Sequence, residues 1–279
     1  MSMPYHLHKM TRRGPGASEG LPSVLHVMAQ DLTTRHVLKQ LDGDLACALE
    51  QAASPYSFVR EQALLSICTV LNKAALARRP SGLSQRLLDA QFSAVAAAIL
   101  DTIERFQERQ QEEDTGPSVC LRSLADGELE AGMQAMQGMV LIHKQSRALF
   151  IDGSDAIAQL LHLLPQQSGS CVSVMLDVLL TLQISSPTAQ AQFTDGYGFQ
   201  QVADLHASNQ LSSGTKQHCL DVLALLLQCV HPQPPAKSAM RQIEKVLGKS
   251  KSSDILNPKA VQMDASQDIS LASAVLLEH

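Results

Sequence analysis

The chain has no tryptophan, three tyrosines and six phenylalanines, so aromatic residues make up only 3 % of its 279 positions. That scarcity counts against a β-sandwich, whose strands draw on aromatic and β-branched side chains. Charged residues are also sparse, at 18 % against a usual share of about a quarter. The net charge of −5 lacks the basic excess of a nucleic-acid-binding domain, so no nucleic-acid partner is expected. No apolar run reaches the ~18 residues of a membrane span. The opening MSMPYHLHKMTRRGPGASEG has no apolar stretch of the kind a secretory signal needs. Also missing are the phosphate loop GxxxxGKS/T, the dinucleotide turn GxGxxG, the nucleophile elbow GxSxG and the zinc motif HExxH. The expectation is therefore no catalytic residue, no cofactor and no metal.

Hydrophobic residues supply 45 % of the chain, mostly as Leu, Ala, Val, Ile and Met. Such a core suits helix-on-helix packing. The six cysteines (Cys47, Cys68, Cys120, Cys171, Cys219 and Cys229) form no CxxC pair, and most fall inside apolar helical patterns. They read as reduced, buried thiols of a cytosolic or nuclear protein, with the cytoplasm the expected location. Their spacings match no zinc pattern.

The strongest signal is an internal repeat. Phe150 and Phe193, Asp152 and Asp195, and Gly153 and Gly196 are each 43 positions apart. Leu141 and Ile184 share that offset, and Leu180, Leu182 and Ile184 project onto Leu223, Leu225 and Leu227. A period of ~40–47 residues is that of armadillo and HEAT repeats. The fold expected is all-α, an armadillo/HEAT-like helical-repeat solenoid. Arg147, Phe150, Gly153, Phe193 and Gly196 mark the junctions between repeats. Gly153 and Gly196 are expected to take positive φ and end a segment sharply. Phe150 and Phe193 are expected to plug gaps between repeats. Ser185-Ser186-Pro187 reads as a helix stop followed by a proline-led start.

The amino-terminal half has helical periodicity with a blurred repeat. Ser54-Pro55 reads there as an N-cap and first helical residue. The organisation expected is a flexible tail over 1–23, a helical domain over 24–248 with a polar loop near 108–120, and a weakly ordered tail over 249–279. Leu277-Glu278-His279 resembles the start of a purification tag. The stretch around Lys237, Arg241, Lys245, Lys249 and Lys251 forms a short basic helix, fit for an acidic partner or lipid, or simply an exposed helix face.

Two arrangements invite a chemical reading. His143 stands three residues before Ser146, but a base and nucleophile need a third orienting group. His218 and Cys219 are adjacent, and neighbours on a helix diverge. What remains is surface. Stacked repeats generate extended grooves that bind peptides or other domains. Gln134, Asp177 and Asp221 recur at intervals of 43 and 44 on the inner helices. They are the groove candidates, or else merely the wet side of each helix.

The blocks GMVLIHKQSRALF, AQFTDGYGFQQVADLHAS and CLDVLALLLQCVHP also resemble a named family. It is the fungal septation-initiation-network protein called cell division control protein fourteen, the helical kinase-binding subunit rather than the phosphatase of that name. His143, Ser146, Arg147 and Phe150 match its first block, and Phe193, Asp195, Gly196, Val202 and Leu205 its second. The closing helix departs from the family's aromatic-rich end. The similarity covers about Leu129 to Pro232, more loosely from Leu45. It implies a non-catalytic regulatory subunit or adaptor of a germinal-centre-type protein kinase, a protein partner at spindle poles, centrosomes or basal bodies during cell division. A generic armadillo adaptor for cytoskeletal or chaperone clients is the alternative, and a Cys-His enzyme the alternative of another class. Oligomeric state is not specified by the sequence.

Overall fold

The structure, a computed structural model, describes residues 24–76, 83–113, 119–167, 169–227 and 237–256. Residues 1–23 and 257–279, which hold the first expected tail and most of the second, lie outside the described residues. The chain divides into two compact units, Met1–Val37 and Leu38–His279. Among the described residues there is no strand. The elements are α1 (Val24–Ala52), α2 (Ser57–Leu76), α3 (Leu83–Glu113), α4 (Val119–Ile142), α5 (Lys144–Asp152), α6 (Ala156–Leu163) and a 3-10 turn (Leu164–Gln166). They continue with α7 (Gly169–Gln183), α8 (Pro187–Asp195), α9 (Gly198–Ala207), α10 (Ser213–Leu225) and α11 (Lys237–Leu256). α1 belongs to the first unit as far as Val37 and to the second from Leu38 onward.

The repeat read from the sequence is a three-helix module. α5–α6–α7 is followed by α8–α9–α10, and the first helix of each starts and ends 43 residues from its counterpart. The long third helix of each module is nearly all apolar. α7 buries Cys171, Val172, Met175, Leu176, Val178, Leu179 and Leu182. A helix that is apolar almost all round needs cover on several sides, and α7 packs against α4, α6, α8 and α10. In the amino-terminal half α4 takes the place of the preceding third helix, packed on α2, α3 and α7. One continuous apolar cluster runs from Leu41 to Ile243. The fold is thus the all-α helical-repeat stack expected, with α2, α4, α7 and α10 packed in series.

Several local expectations need correction. The acidic run from Glu108 is not a loop, because α3 continues to Glu113. Nothing in QERQQEE breaks a helix, and straight-chain polar residues are good helix formers. Helix is present again from Val119, inside the expected 108–120 loop. Ser54-Pro55 does not start α2. The Ser54 hydroxyl accepts from Tyr56 N at 3.2 Å, forming a turn, and the helix begins at Ser57. Cys47 is exposed, unlike the buried Cys171 and Cys219.

Gly153 and Gly196 do end α5 and α8, but not through positive φ. Their φ values are −98° and −76°. Crowding is the reason for glycine. A Cβ on Gly153 would stand 2.8 Å from Leu149 O, and one on Gly196 would stand 2.8 Å from Leu161 Cδ1. Among the described residues positive φ falls instead at Ser185 (56°), Tyr197 (58°) and Gly248 (79°). Ser185 follows α7, Ser186 caps α8 by accepting from Ala189 N at 3.3 Å, and Pro187 opens that helix, as its sequence indicated.

Candidate functional site

The repeat-junction residues form a built structure. His143 sits between α4 and α5, fully buried. Its Nδ1 lies 2.6 Å from Ser146 Oγ and its Nε2 3.0 Å from Asp89 Oδ1 on α3. Phe92 packs against the imidazole with ring centroids 5.0 Å apart. The third orienting group that sequence reasoning did not find is therefore present, contributed by a residue 54 positions away. Ser–His–Asp contacts alone do not make a nucleophile. His143 and Ser146 are both fully buried, and attack requires reach to a substrate and donors for its oxyanion. The three residues fasten the α4–α5 corner to α3.

Arg147 spans its own module. Its Nη1 donates to Ile184 O at 2.6 Å, just past the end of α7. A cation there meets both an orphan carbonyl and the negative end of the helix dipole. Burial pulls its pKa below the ordinary guanidinium value, and its Nε is buried without a partner. Gln190, the residue in register with Arg147, donates to Gln183 O at 3.0 Å, so α7 is capped from both sides.

Between modules the period reappears in hydrogen bonds. Gln192 of α8 donates to Ile151 O at the end of α5. Gln242 of α11 donates to Thr194 O at the end of α8. Ile151 and Thr194 are 43 residues apart, so α11 does for the second module what α8 does for the first. No sequence signal pointed to either glutamine, since both sit in ordinary polar positions.

Phe150 and Phe193 are fully buried. Phe193 meets Phe199 edge to face, with centroids 5.1 Å apart and planes at 83°. Gly198 lies so close that an added Cβ would be 2.5 Å from the Phe193 ring. Sequence reasoning missed Gly198. It also missed a buried ion pair in the amino-terminal half. Arg60 of α2 grips Glu128 of α4 with Nε–Oε1 at 2.6 Å and Nη2–Oε2 at 2.8 Å, both side chains nearly inaccessible. Ser57 donates to the same carboxylate at 2.5 Å.

The groove candidates Gln134, Asp177 and Asp221 fall on α4, α7 and α10, three helices packed in series, and all three are half-buried. Gln134 donates to Glu130 at 3.5 Å and Gln217 to Asp221 at 2.9 Å. Asp177 pairs with His218 of α10 at 3.0 Å, a close contact though not a linear hydrogen bond. That contact is the chief reason the His218 pKa is raised, with Asp221 adding to it. His218 thus faces Asp177 and not its neighbour Cys219, whose buried thiol is pushed up to about 11. A catalytic thiol needs the opposite shift. Burial likewise lifts Cys68 to about 11 and Cys171 to about 12. Among the described residues no three His, Cys, Asp or Glu side chains gather as metal ligands, and no helix is long and apolar enough to cross a membrane.

Fold and surface together define a class: a helical-repeat protein whose matched polar positions recur along a series of packed helices. The chain belongs to the family described as Cell division control protein 14, SIN component, whose profile matches residues 86–274. The match takes in most of α3 and everything described after it, and reaches further toward the carboxyl end than the resemblance did. It leaves out α1 and α2. No curated protein and no solved structure matches the chain. Membership gives it a role in cell-division signalling.

Proposed function

We propose that the chain is a non-catalytic subunit that binds a germinal-centre-type protein kinase in the septation-initiation pathway and places it at spindle poles or related organelles. The family match carries this reading. The polar positions on α4, α7 and α10 support it, because they repeat with the modules and lie on helices whose other sides are taken up by the core. Stacked repeats present such faces to protein partners. The residues matching the family's blocks, His143, Ser146, Arg147, Phe150, Phe193 and Gly196, are occupied in holding helices together. Family resemblance in them preserves the stack, and partner choice falls to the surface.

The test is affinity purification of the full chain from dividing cells, followed by mass spectrometry and direct binding to the purified kinase. A germinal-centre-type kinase should be recovered repeatedly and bind the purified chain. Failure to recover any protein kinase in repeated preparations contradicts the reading.

A further inference from the structure

The α4–α7–α10 face is chemically one-sided. Glu130, Asp177 and Asp221 place a half-buried carboxylate on each of the three helices. Glu130 meets Ser170 at 3.0 Å and Gln134 at 3.5 Å, Asp177 meets His218 at 3.0 Å, and Asp221 meets Gln217 at 2.9 Å, so among the described residues His218 is the one basic side chain paired with any of them. Two groups register the resulting negative field. Glu130 and Asp126 add to the upward push that burial exerts on the Cys171 thiol, and Asp177 and Asp221 favour charged His218. The same face is not purely polar. Val174 and Leu180 lie within a helical third of Asp177 on α7 and Ile184 follows just past its end, and each is only partly buried against the core.

We infer that this face receives a basic amphipathic segment of the protein partner, with Lys or Arg side chains meeting Glu130, Asp177 and Asp221 and apolar ones resting on Val174, Leu180 and Ile184. Charge complementarity selects the occupant. A basic stripe fits carboxylates that have too few cations of their own, whereas an acidic or nucleic-acid ligand is repelled. The apolar strip supplies contact area that charge pairs at a wet surface cannot. The inference rests on the reading of the chain as a binding subunit and adds the chemistry of what it binds.

The experiment uses the full chain and a synthetic peptide of about five helical turns, leucines on one side and lysines on the other, read by fluorescence anisotropy. The control peptide replaces each lysine by glutamate. The lysine peptide should bind and the glutamate peptide should not. Glu130→Lys with Asp221→Lys should weaken binding roughly tenfold or more, and added salt should weaken it further. Asp221→Asn, which leaves the Asp177–His218 pair in place, should give a smaller loss in the same direction with an unchanged melting temperature. Equal binding of both peptides, or an affinity untouched by these changes, overturns the inference. Kinase capture by the charge-reversed chain separates the two claims. If the kinase still binds fully, this face is not its site and the inference fails while the proposed function stands. A second copy is the rival occupant, because Arg241 and Lys245 form an exposed basic stripe on α11. Self-association abolished both by Asp221→Lys and by Arg241→Glu would assign the face to that copy and overturn the inference.

Discussion

Three glycines of the carboxy-terminal half are explained by what stands beside them. Gly153, Gly196 and Gly198 leave no room for a methyl group, the tightest being Gly198 against the Phe193 ring. Gly198→Ala should therefore destabilise the chain by about 1–3 kcal/mol through overpacking, read as a fall in the chemical-denaturation midpoint. Phe150→Ala and Phe193→Ala should each cost ~3–5 kcal/mol, as large-to-small changes in a closed core do. Melting temperatures equal to wild type would remove the claim that these rings fill essential space. Glu128→Ala should cost about 3–5 kcal/mol, since it leaves the Arg60 guanidinium buried without its partner. Repetition made Phe150, Phe193, Gly153 and Gly196 legible from sequence. Gly198, Glu128 and Asp89 were not legible, because each matters through a neighbour that only the fold brings near.

At the scale of the helix, ends decide how the modules join. Orphan carbonyls at the ends of α5, α7 and α8 are met by Gln192, Arg147 and Gln242. Arg147→Met should lower stability by about 1–3 kcal/mol by leaving Ile184 O unmet. The Asp177–His218 pair joins α7 to α10 and carries a pH signature. The His218 pKa is raised in the folded chain above its ordinary 6.5. Its contribution is thus fully present below pH 6.5 and is lost as pH rises through the raised folded value. The melting-temperature advantage of wild type over His218→Gln should shrink across that window, and a pH-independent difference would contradict the pairing. Helix identity was largely readable from periodicity and from Ser186-Pro187. The start of α2 and the length of α3 were misread, because local turn chemistry at Ser54 and tolerant polar residues after Glu108 do not announce themselves in composition.

At the scale of the molecule, two modules of matched length follow an amino-terminal helical layer, and one core runs through them. That architecture was legible because the 43-residue period outlasts divergence in the individual residues. The use of the surface was less legible. Sequence register marked Gln134, Asp177 and Asp221, but only packing shows that they lie on consecutive helices and that His218 answers one of them. Under the proposed function, the junctions hold the stack and α4, α7 and α10 dock the kinase. Hydrogen–deuterium exchange on the full chain, with and without the purified germinal-centre-type kinase, tests this most directly. Added protection is expected in peptides from α4, α7 and α10. Protection confined to other helices, or no change at a kinase concentration that saturates binding, would contradict it.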